Sequence, residues 1–374
     1  MPFGGMDAAN WALARWLSDR GKFELHLIGH RADTILEKAP RVKFHKVSKP
    51  FGSNLMGFPL AALRGSRIAR ELAHRGGRTL MNGGNCPVFD ACWVHYLHAA
   101  HEPLTSGSPG ARARASLSHA LYLRCERLWL PKSKVLFANS QRTKKDILRH
   151  YPVEPDRIQV VYYGNEGARF HPLPESERLE IRRELGIHSP SSSKVAVFVG
   201  ALGDRRKGFD LLYEAWLSLA QQGPSWDASL LVVGAGRDLD HWRARAVREG
   251  MASQIRFLGF RRDVEKIVGA SDLMVHAARY EAYGLAVQEA LCCGLPVIVS
   301  EEAGVSERIP KSLHGLRLKP DFTAQDIASR LLTWRNDFDH FASTAQIAGQ
   351  NLARRSWDDM AEEMTRRWLE NSPS

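Results

Sequence analysis

Apolar residues fall in short runs separated by polar and glycine-rich turns, the pattern of buried strands alternating with helices. The clearest unit runs from Ser271 to Gly304. Leu273 to His276 is a short, mostly apolar run, which predicts a buried strand. After a loop, Gly284 to Cys293 reads as a helix, with Gly294 placed to cap it and Pro296 to stop it. Val297, Ile298 and Val299 make the next strand. A β-α-β unit of this kind predicts a parallel sheet. Its helix carries Leu285, Ala286, Val287, Ala290, Leu291, Cys292 and Cys293, which leaves almost no polar face and predicts burial all round.

The rest of the chain repeats the alternation. Strands are predicted at Phe23–Ile28, Val42–Val47, Thr79–Met81, Ala91–His95, Val135–Ala138 and Ile158–Tyr162, and helices at Gly57–Ala73 and over 111–134. A stretch rich in Pro and Ser, His171–Ser193, holds one short helix and reads as a linker. Beyond it, strands at Val195–Val199, Leu230–Gly234 and Ile255–Leu258 open a second series. Helices follow at Phe209–Ala220, Thr323–Trp334 and Ser356–Trp368, the last with Ser356 and Asp359 spaced as a capping box. Before the first predicted strand stands Phe3-Gly4-Gly5-Met6, leading into an amphipathic helix with Ala9, Leu13, Trp16 and Leu17 on one face. A glycine pair there lets backbone approach a phosphate or a sugar.

At 374 residues the chain has room for two domains. With 44% hydrophobic and 25% charged residues it is composed like a soluble globular protein. No apolar run approaches the roughly 20 residues of a membrane-spanning helix. The start, MPFGGMDAANWALARW, lacks the charged and apolar regions of a signal peptide. Five cysteines without a C-x-x-C pair suit a reduced, cytoplasmic protein without structural zinc.

Charge changes the picture through its distribution. Residues 1–170 carry 26 Lys and Arg against 13 Asp and Glu, while the remainder carries 26 against 28. The whole excess of the net +11 lies in the first half, which suggests an anionic partner for that half. Residues 111–149 concentrate it. Arg112, Arg114, Arg124, Arg127, Lys132 and Lys134 interleave with Leu117, Leu121, Leu128 and Trp129, and Lys144, Lys145 and Arg149 follow. An anionic membrane surface is one reading; a solvated helix face is the other. No aromatic-basic RNA signature accompanies the charge, so nucleic acid is not expected.

The candidate chemistry gathers in four places. Glu289 sits within the apolar helix, where a carboxylate is costly unless something bonds it. Glu281 lies eight residues earlier, and the backbone N–H groups of about Tyr283 to Leu285 stand between as unpaired donors at a positive helix end. In the second series, Gly200-Ala201-Leu202-Gly203-Asp204-Arg205-Arg206-Lys207-Gly208 is a glycine turn opening a helix, with three cations that suit a diphosphate. It is not a Walker loop. Histidines at strand ends of an α/β sheet face the ligand crevice, which marks His95 and His98. These two are too close along the chain for a typical metal pair without a third ligand.

The E-x7-E spacing of Glu281 and Glu289, the G-L-P-V-I ending, the K-G pair of Lys207 and Gly208, the turn Gly304-Val305-Ser306-Glu307 and the run KSKVLFANSQRTKKDIL…DRIQVVYYGNEGARF together resemble the retaining glycosyltransferases of family 4. The resemblance covers nearly the whole chain and is dense from Lys132 onward. It implies an α/β GT-B fold: two Rossmann-like, doubly wound parallel-sheet domains facing a cleft. Residues 1–165 would form the acceptor-side domain, completed by the C-terminal helix 350–374, and 166–349 the nucleotide-sugar domain. The family's N-terminal glycine loop follows a first strand, and here no strand precedes it.

The resemblance further implies sugar transfer from a UDP-, GDP- or ADP-sugar to a lipid, glycan or small-molecule acceptor, as in the building of cell-envelope polysaccharide. The enzyme would be cytoplasmic, at most peripheral at the inner face of the membrane. It assigns catalysis to His95 (or His98), Glu281 and Lys207. Donor binding falls to Gly5, Arg205, Arg206, Lys207, Tyr283, Gly284, Leu285 and Glu289. The family has Arg where Ala201 stands, so Arg205 or Arg206 would have to compensate. No metal and no cofactor are expected, since these cations meet the diphosphate. Two other classes remain in view: a sugar-nucleotide epimerase of the same fold, and a basic nucleic-acid- or membrane-binding protein without catalysis.

Overall fold

A computed structural model describes residues 4–87, 90–102, 108–187, 194–223 and 226–370. They form two compact units, one of residues 4–102, 108–164 and 356–370, the other of 165–355. Among the described residues no helix is long and apolar enough to cross a membrane.

The first unit opens on the helix Gly5–Asp19, which buries Ala9, Ala12, Leu13 and Leu17. Its strands are β1 (Leu25–Gly29), β2 (Val42–Lys46), β3 (Leu80–Asn82), β4 (Ala91–Val94), β5 (Val135–Ala138) and β6 (Ile158–Val160). All pairings are parallel, but the strands form two sheets, β1-β2 and β3-β4-β5-β6. Among the described residues no strand precedes the helix Gly5–Asp19. Both β4 and β5 are buried along their whole length, which is why they read as unbroken apolar runs rather than alternating ones. Trp93, Leu97, Leu130, Leu136, Phe137 and Ile147 fill the core around them. Gly164 ends the stretch: a Cβ there would come within 2.2 Å of the Ser356 carbonyl oxygen. At that contact the capping box forms, with Asp359 N–H donating to Ser356 Oγ at 3.1 Å and Ser356 N–H to Asp359 Oδ2 at 2.8 Å. The helix Trp357–Glu370 then packs on Gly5–Asp19.

The second unit holds β7 (Val195–Val199), β8 (Ser229–Val233), β9 (Ile255–Gly259), β10 (Leu273–His276), β11 (Val297–Ser300) and β12 (Arg317–Leu318). They form one parallel sheet in the order β12-β11-β10-β7-β8-β9. The chain winds outward from β7 through β8 to β9, then returns to lay β10 on β7's other side. Between β7 and β10 the winding reverses, and ligands of open α/β sheets bind at such a point, beyond the carboxyl ends of the strands.

The helix Leu285–Cys292 buries Val287, Gln288, Ala290, Leu291 and Cys292, but Leu285, Ala286 and Glu289 stay partly exposed, so it is not enclosed all round. Its buried side is covered by a helix the apolar pattern does not announce, Phe338–Ala353. The two backbones touch: a Cβ on Gly349 would lie 1.9 Å from the Leu291 carbonyl oxygen.

Candidate functional site

Two loops meet at the reversal point, one leaving β7 and the other leaving β10. The first makes a 3-10 turn at Arg205–Lys207 and enters the helix Phe209–Gln221 through Gly208. Gly208 has φ +72°, and a Cβ there would lie 1.7 Å from the Ala277 carbonyl oxygen. Only glycine allows the loops this close. The approach brings Lys207 to Glu281: Lys207 Nζ donates to Glu281 Oε2 at 2.5 Å. His276, at the end of β10, places Nε2 3.3 Å from the same oxygen.

Burial opposes the Glu281 charge, but Lys207, His276 and Arg206 outweigh it and hold the carboxyl well below the usual carboxylate range. His276 is buried, and burial pushes its pKa down despite Glu281. The site is thus a carboxylate held by an ammonium and backed by an uncharged imidazole. Backbone bonds fix the Glu281 loop to the next one: Gly304 N–H donates to the Glu281 carbonyl at 3.0 Å and Val305 N–H to that of Tyr283 at 2.7 Å.

The neighbouring arginines differ in freedom. Arg206 is drawn inward, paired with Asp204 at 3.0 Å and donating to the Tyr280 carbonyl at 3.1 Å. Arg205 is exposed and reaches Asp210 at 3.2 Å. Asp210 is also gripped by both ends of the Arg279 guanidinium at 2.8 Å. Of the two arginines that could stand in for the residue missing at Ala201, Arg205 is therefore the more available. Arg279, just before Glu281, is a cation the spacing argument passed over.

Gly284, at φ +100°, is the N-cap of Leu285–Cys292 and offers no side chain to the helix end. The N–H groups of Val287 and Gln288 bond the Gly284 carbonyl, which leaves those of Leu285 and Ala286 at the open end. Tyr283 is nearby only through its backbone. Its buried ring turns inward, with the hydroxyl on Gln288, and Arg308 reaches the two at 3.0 and 2.8 Å. Glu289 stands in the second turn. Its carboxylate has no hydrogen-bond partner among the described residues, and burial pushes its pKa up to about 8. The cation whose charge opposes that rise, Arg169, is engaged by Glu265 at 2.8 Å.

In the first unit the two histidines part company. His95 is 6% exposed, with Nδ1 2.5 Å from the Tyr163 hydroxyl and Nε2 3.2 Å from Asn82 Oδ1. Trp93 packs on its ring, and burial pushes its pKa down to about 3. Both nitrogens are occupied, and the ring is a neutral part of the core. His98 is more open. Its Nδ1 lies 2.6 Å from Glu126 Oε1, and Glu126 also accepts from the His98 and Ala99 backbone N–H groups and from the Tyr151 hydroxyl. Those bonds turn His98 Nε2 outward, amid Tyr96, Tyr122 and His119. Sequence reasoning missed Glu126 because it counts as one acid in a basic helix. Gly5 is the first residue of the opening helix.

Within 111–149, Arg112, Arg114, Arg124, Arg127, Lys145 and Arg149 are exposed, with Leu117 and Leu128 among them. Lys144 is spent on the carbonyls of Pro155 and Ile158, and Lys134 on Asp90. Among the described residues no group of three His, Cys, Asp or Glu could hold a metal ion. Two D-x-D triplets occur, Asp238–Asp240 and Asp337–Asp339. Both lie at the starts of helices, where Asp238 and Asp337 are N-caps without a side-chain capping bond, rather than at the Lys207–Glu281 pair.

Residues 193–337 match the family model described as glycosyl transferases group 1, and residues 3–165 the model described as glycosyltransferase family 4. The chain is 27% identical over 290 residues to a D-inositol 3-phosphate glycosyltransferase of Corynebacterium jeikeium, covering 75% of this chain and 67% of that one. The same-named protein of Corynebacterium efficiens is 30% identical over 198 residues, 51% of this chain and 46% of its own. The chain thus spans between about half and two thirds of these curated relatives. Among solved structures, WaaG, a glycosyltransferase of lipopolysaccharide biosynthesis, superposes with a TM-score of 0.77 at 21% identity, covering 98% of this chain and 96% of that one. Anabaena HepE in complex with UDP-glucose gives 0.71 at 19% identity, with the same coverages.

Proposed function

The chain belongs to the group 1, family 4 glycosyltransferases and has the GT-B fold, and from that premise we propose that it moves a sugar from a nucleoside-diphosphate sugar to an acceptor with retention at the anomeric carbon. The observation that carries the reading is the Lys207–Glu281 pair at the reversal point of the second sheet. In the transfer, the bond between the anomeric carbon and the diphosphate oxygen breaks, the new bond forms to the acceptor oxygen, and the acceptor hydroxyl's proton passes to the departing diphosphate. The sugar passes through an oxocarbenium-like state, and the nucleoside diphosphate leaves with the negative charge. Lys207, Arg205 and the N–H groups at the head of Leu285–Cys292 are fixed positive groups suited to that charge. They can meet it without a metal ion. Glu281 binds hydroxyls of the transferred sugar, and Glu289 the ribose.

The sugar-contacting imidazole of the first unit is His98 rather than His95, because His95 has both nitrogens occupied in the core. UDP-glucose is the first donor to test, since HepE binds it. An inositol phosphate is the first small acceptor, from the relatives' names, and lipid or glycan acceptors follow. The exposed cations of 111–149 suit an anionic membrane, which would place the enzyme at the cytoplasmic face. The test is a screen of UDP-, GDP- and ADP-sugars for release of the nucleoside diphosphate, with and without acceptor. Acceptor-dependent release supports transfer. Interconversion of the sugar nucleotide by donor alone would support an epimerase instead, and turnover of none of these donors would remove the reading.

A further inference from the structure

Residues 46–70 carry a surface that the transferase reading does not use. The turn Pro50–Gly52 sets Phe51 outward, 95% exposed, at φ +50°. A bulky residue in left-handed backbone is strained, and here the strain is not offset by burying the ring. The helix Asn54–Ala73 follows, and its inner face packs Ala62, Ile68 and Ala69. On its outer face stand Met56, Leu60 and Leu63, spaced four and three apart on one stripe, with Leu63 68% exposed. Farther along, the exposed residues change character to Arg64, Arg67 and Arg70, and Lys46 and Lys49 precede the turn. From Lys46 to Arg70 the chain contains no Asp or Glu; the acid that follows, Glu71, pairs with Arg67 at 3.1 Å on the exposed face.

An exposed apolar cluster larger than a scattered residue or two marks an interaction surface. The charge around this one selects the partner. An apolar tip bracketed by cations, with no acid between, matches a layer of anionic headgroups over hydrocarbon. We propose that Phe51, Met56, Leu60 and Leu63 insert into an anionic phospholipid bilayer while Lys46, Lys49, Arg64 and Arg67 meet the headgroups. The oblique order along the helix, apolar first and basic later, seats the Phe51 end deepest. The helix Asn54–Ala73 touches the basic helix Pro109–Trp129 through Phe58, whose ring lies 5.4 Å from that of Tyr122, but the cluster itself is made of other side chains. It stands whatever reaction the chain performs, because binding is read without turnover.

The test is flotation of the full chain with vesicles of phosphatidylcholine alone and of phosphatidylcholine with one third phosphatidylglycerol, at low salt and at about 0.5 M salt. The wild type is expected to prefer the anionic vesicles and to keep part of its binding at high salt. Phe51→Ser with Leu63→Ser should weaken partition at both salt concentrations by about tenfold or more. Arg64→Glu with Arg67→Glu should act mainly at low salt. All four side chains are exposed, and unchanged melting curves check that the fold is kept. The proposal is overturned if Phe51→Ser with Leu63→Ser binds like the wild type, or if only Arg124→Glu with Arg127→Glu abolishes binding. It is equally overturned if the wild type floats with neither vesicle, or if it forms a dimer that Phe51→Ser dissolves, which would make a second copy the occupant.

Discussion

Lys207 and Glu281 are 74 residues apart in sequence and 2.5 Å apart in space, and His276 reaches the same carboxylate oxygen from the strand behind it. The ammonium that would meet a diphosphate is thus held in advance by the carboxylate that would meet the sugar. Each constrains the other's position, which is how a site limits reorganisation when charge develops.

Glu281→Ala should therefore lower kcat more than it raises KM, because it removes a group that orients the reacting sugar and releases Lys207. Glu289→Ala should do the reverse. A ribose contact is much the same before and during reaction, and a hydrogen bond from a carboxyl that holds its proton near neutral pH is worth about 0.5–1.5 kcal/mol. A loss of roughly 2- to 13-fold in kcat/KM, mostly through KM, is expected. Steady-state kinetics on folded variants checks both, and the opposite pattern would mean that the two acids are misassigned.

Stability should report on Glu289 independently of turnover. Its carboxyl rises from 4.5 to about 8 on folding, so the folded state binds the extra proton between those values. A raised carboxyl favours folding below the unfolded pKa and loses that advantage as pH climbs through the folded one. Between pH 5 and 8.5 the wild-type melting temperature should fall relative to Glu289→Gln, which lacks the titration. Parallel melting curves across that range would contradict a half-buried, unpartnered carboxyl shielded enough to hold its proton.

The histidines of the first unit should separate cleanly. His98→Ala should lower kcat and reduce the melting temperature less than His95→Ala, because Glu126 loses the ring but keeps the His98 and Ala99 N–H groups and the Tyr151 hydroxyl. His95→Ala should destabilise the fold by about 1–3 kcal/mol, because the buried Tyr163 hydroxyl loses its bond to the ring and keeps the one from Asn139. His95 also stays neutral down to about 3, against about 6.5 for an unfolded histidine. Its contribution to stability is present at neutral pH and is lost as pH falls from 6.5 towards 3. A stable His95→Ala with depressed kcat would return the catalytic role to His95.

Donor turnover should survive EDTA, because the diphosphate is assigned to Lys207, Arg205 and a helix end. Complete loss on chelation, restored by Mn²⁺ or Mg²⁺, would transfer that role to a metal ion.

Strands buried on both faces were legible in the sequence, and β5, β7 and β10 begin and end as their apolar runs predict. The helix Phe338–Ala353 was not, because between Phe341 and Leu352 its buried side carries only Ala345, Ala348 and Gly349, small residues that dilute the hydrophobic signal. Spacing within a loop located Glu281 and Lys207 separately. Their meeting depends on β10 pairing with β7 rather than with β9, and strand order is not written in any local pattern. His95 and His98 lie three residues apart with the same chemistry. What distinguishes them is Tyr163 and Glu126, each brought from far along the chain.

Gly349 has no chemistry to offer, and no search for reactive groups would stop at it. Yet a single methyl there would strike the Leu291 carbonyl, two residues past Glu289. Backbone cannot step aside as a side chain can, so the helix bearing Glu289 would have to move. The tolerance of this protein to inherited change is then narrow at a position that carries no reactive group. A Gly349→Ala lineage would first register the damage as a weaker grip on its sugar donor.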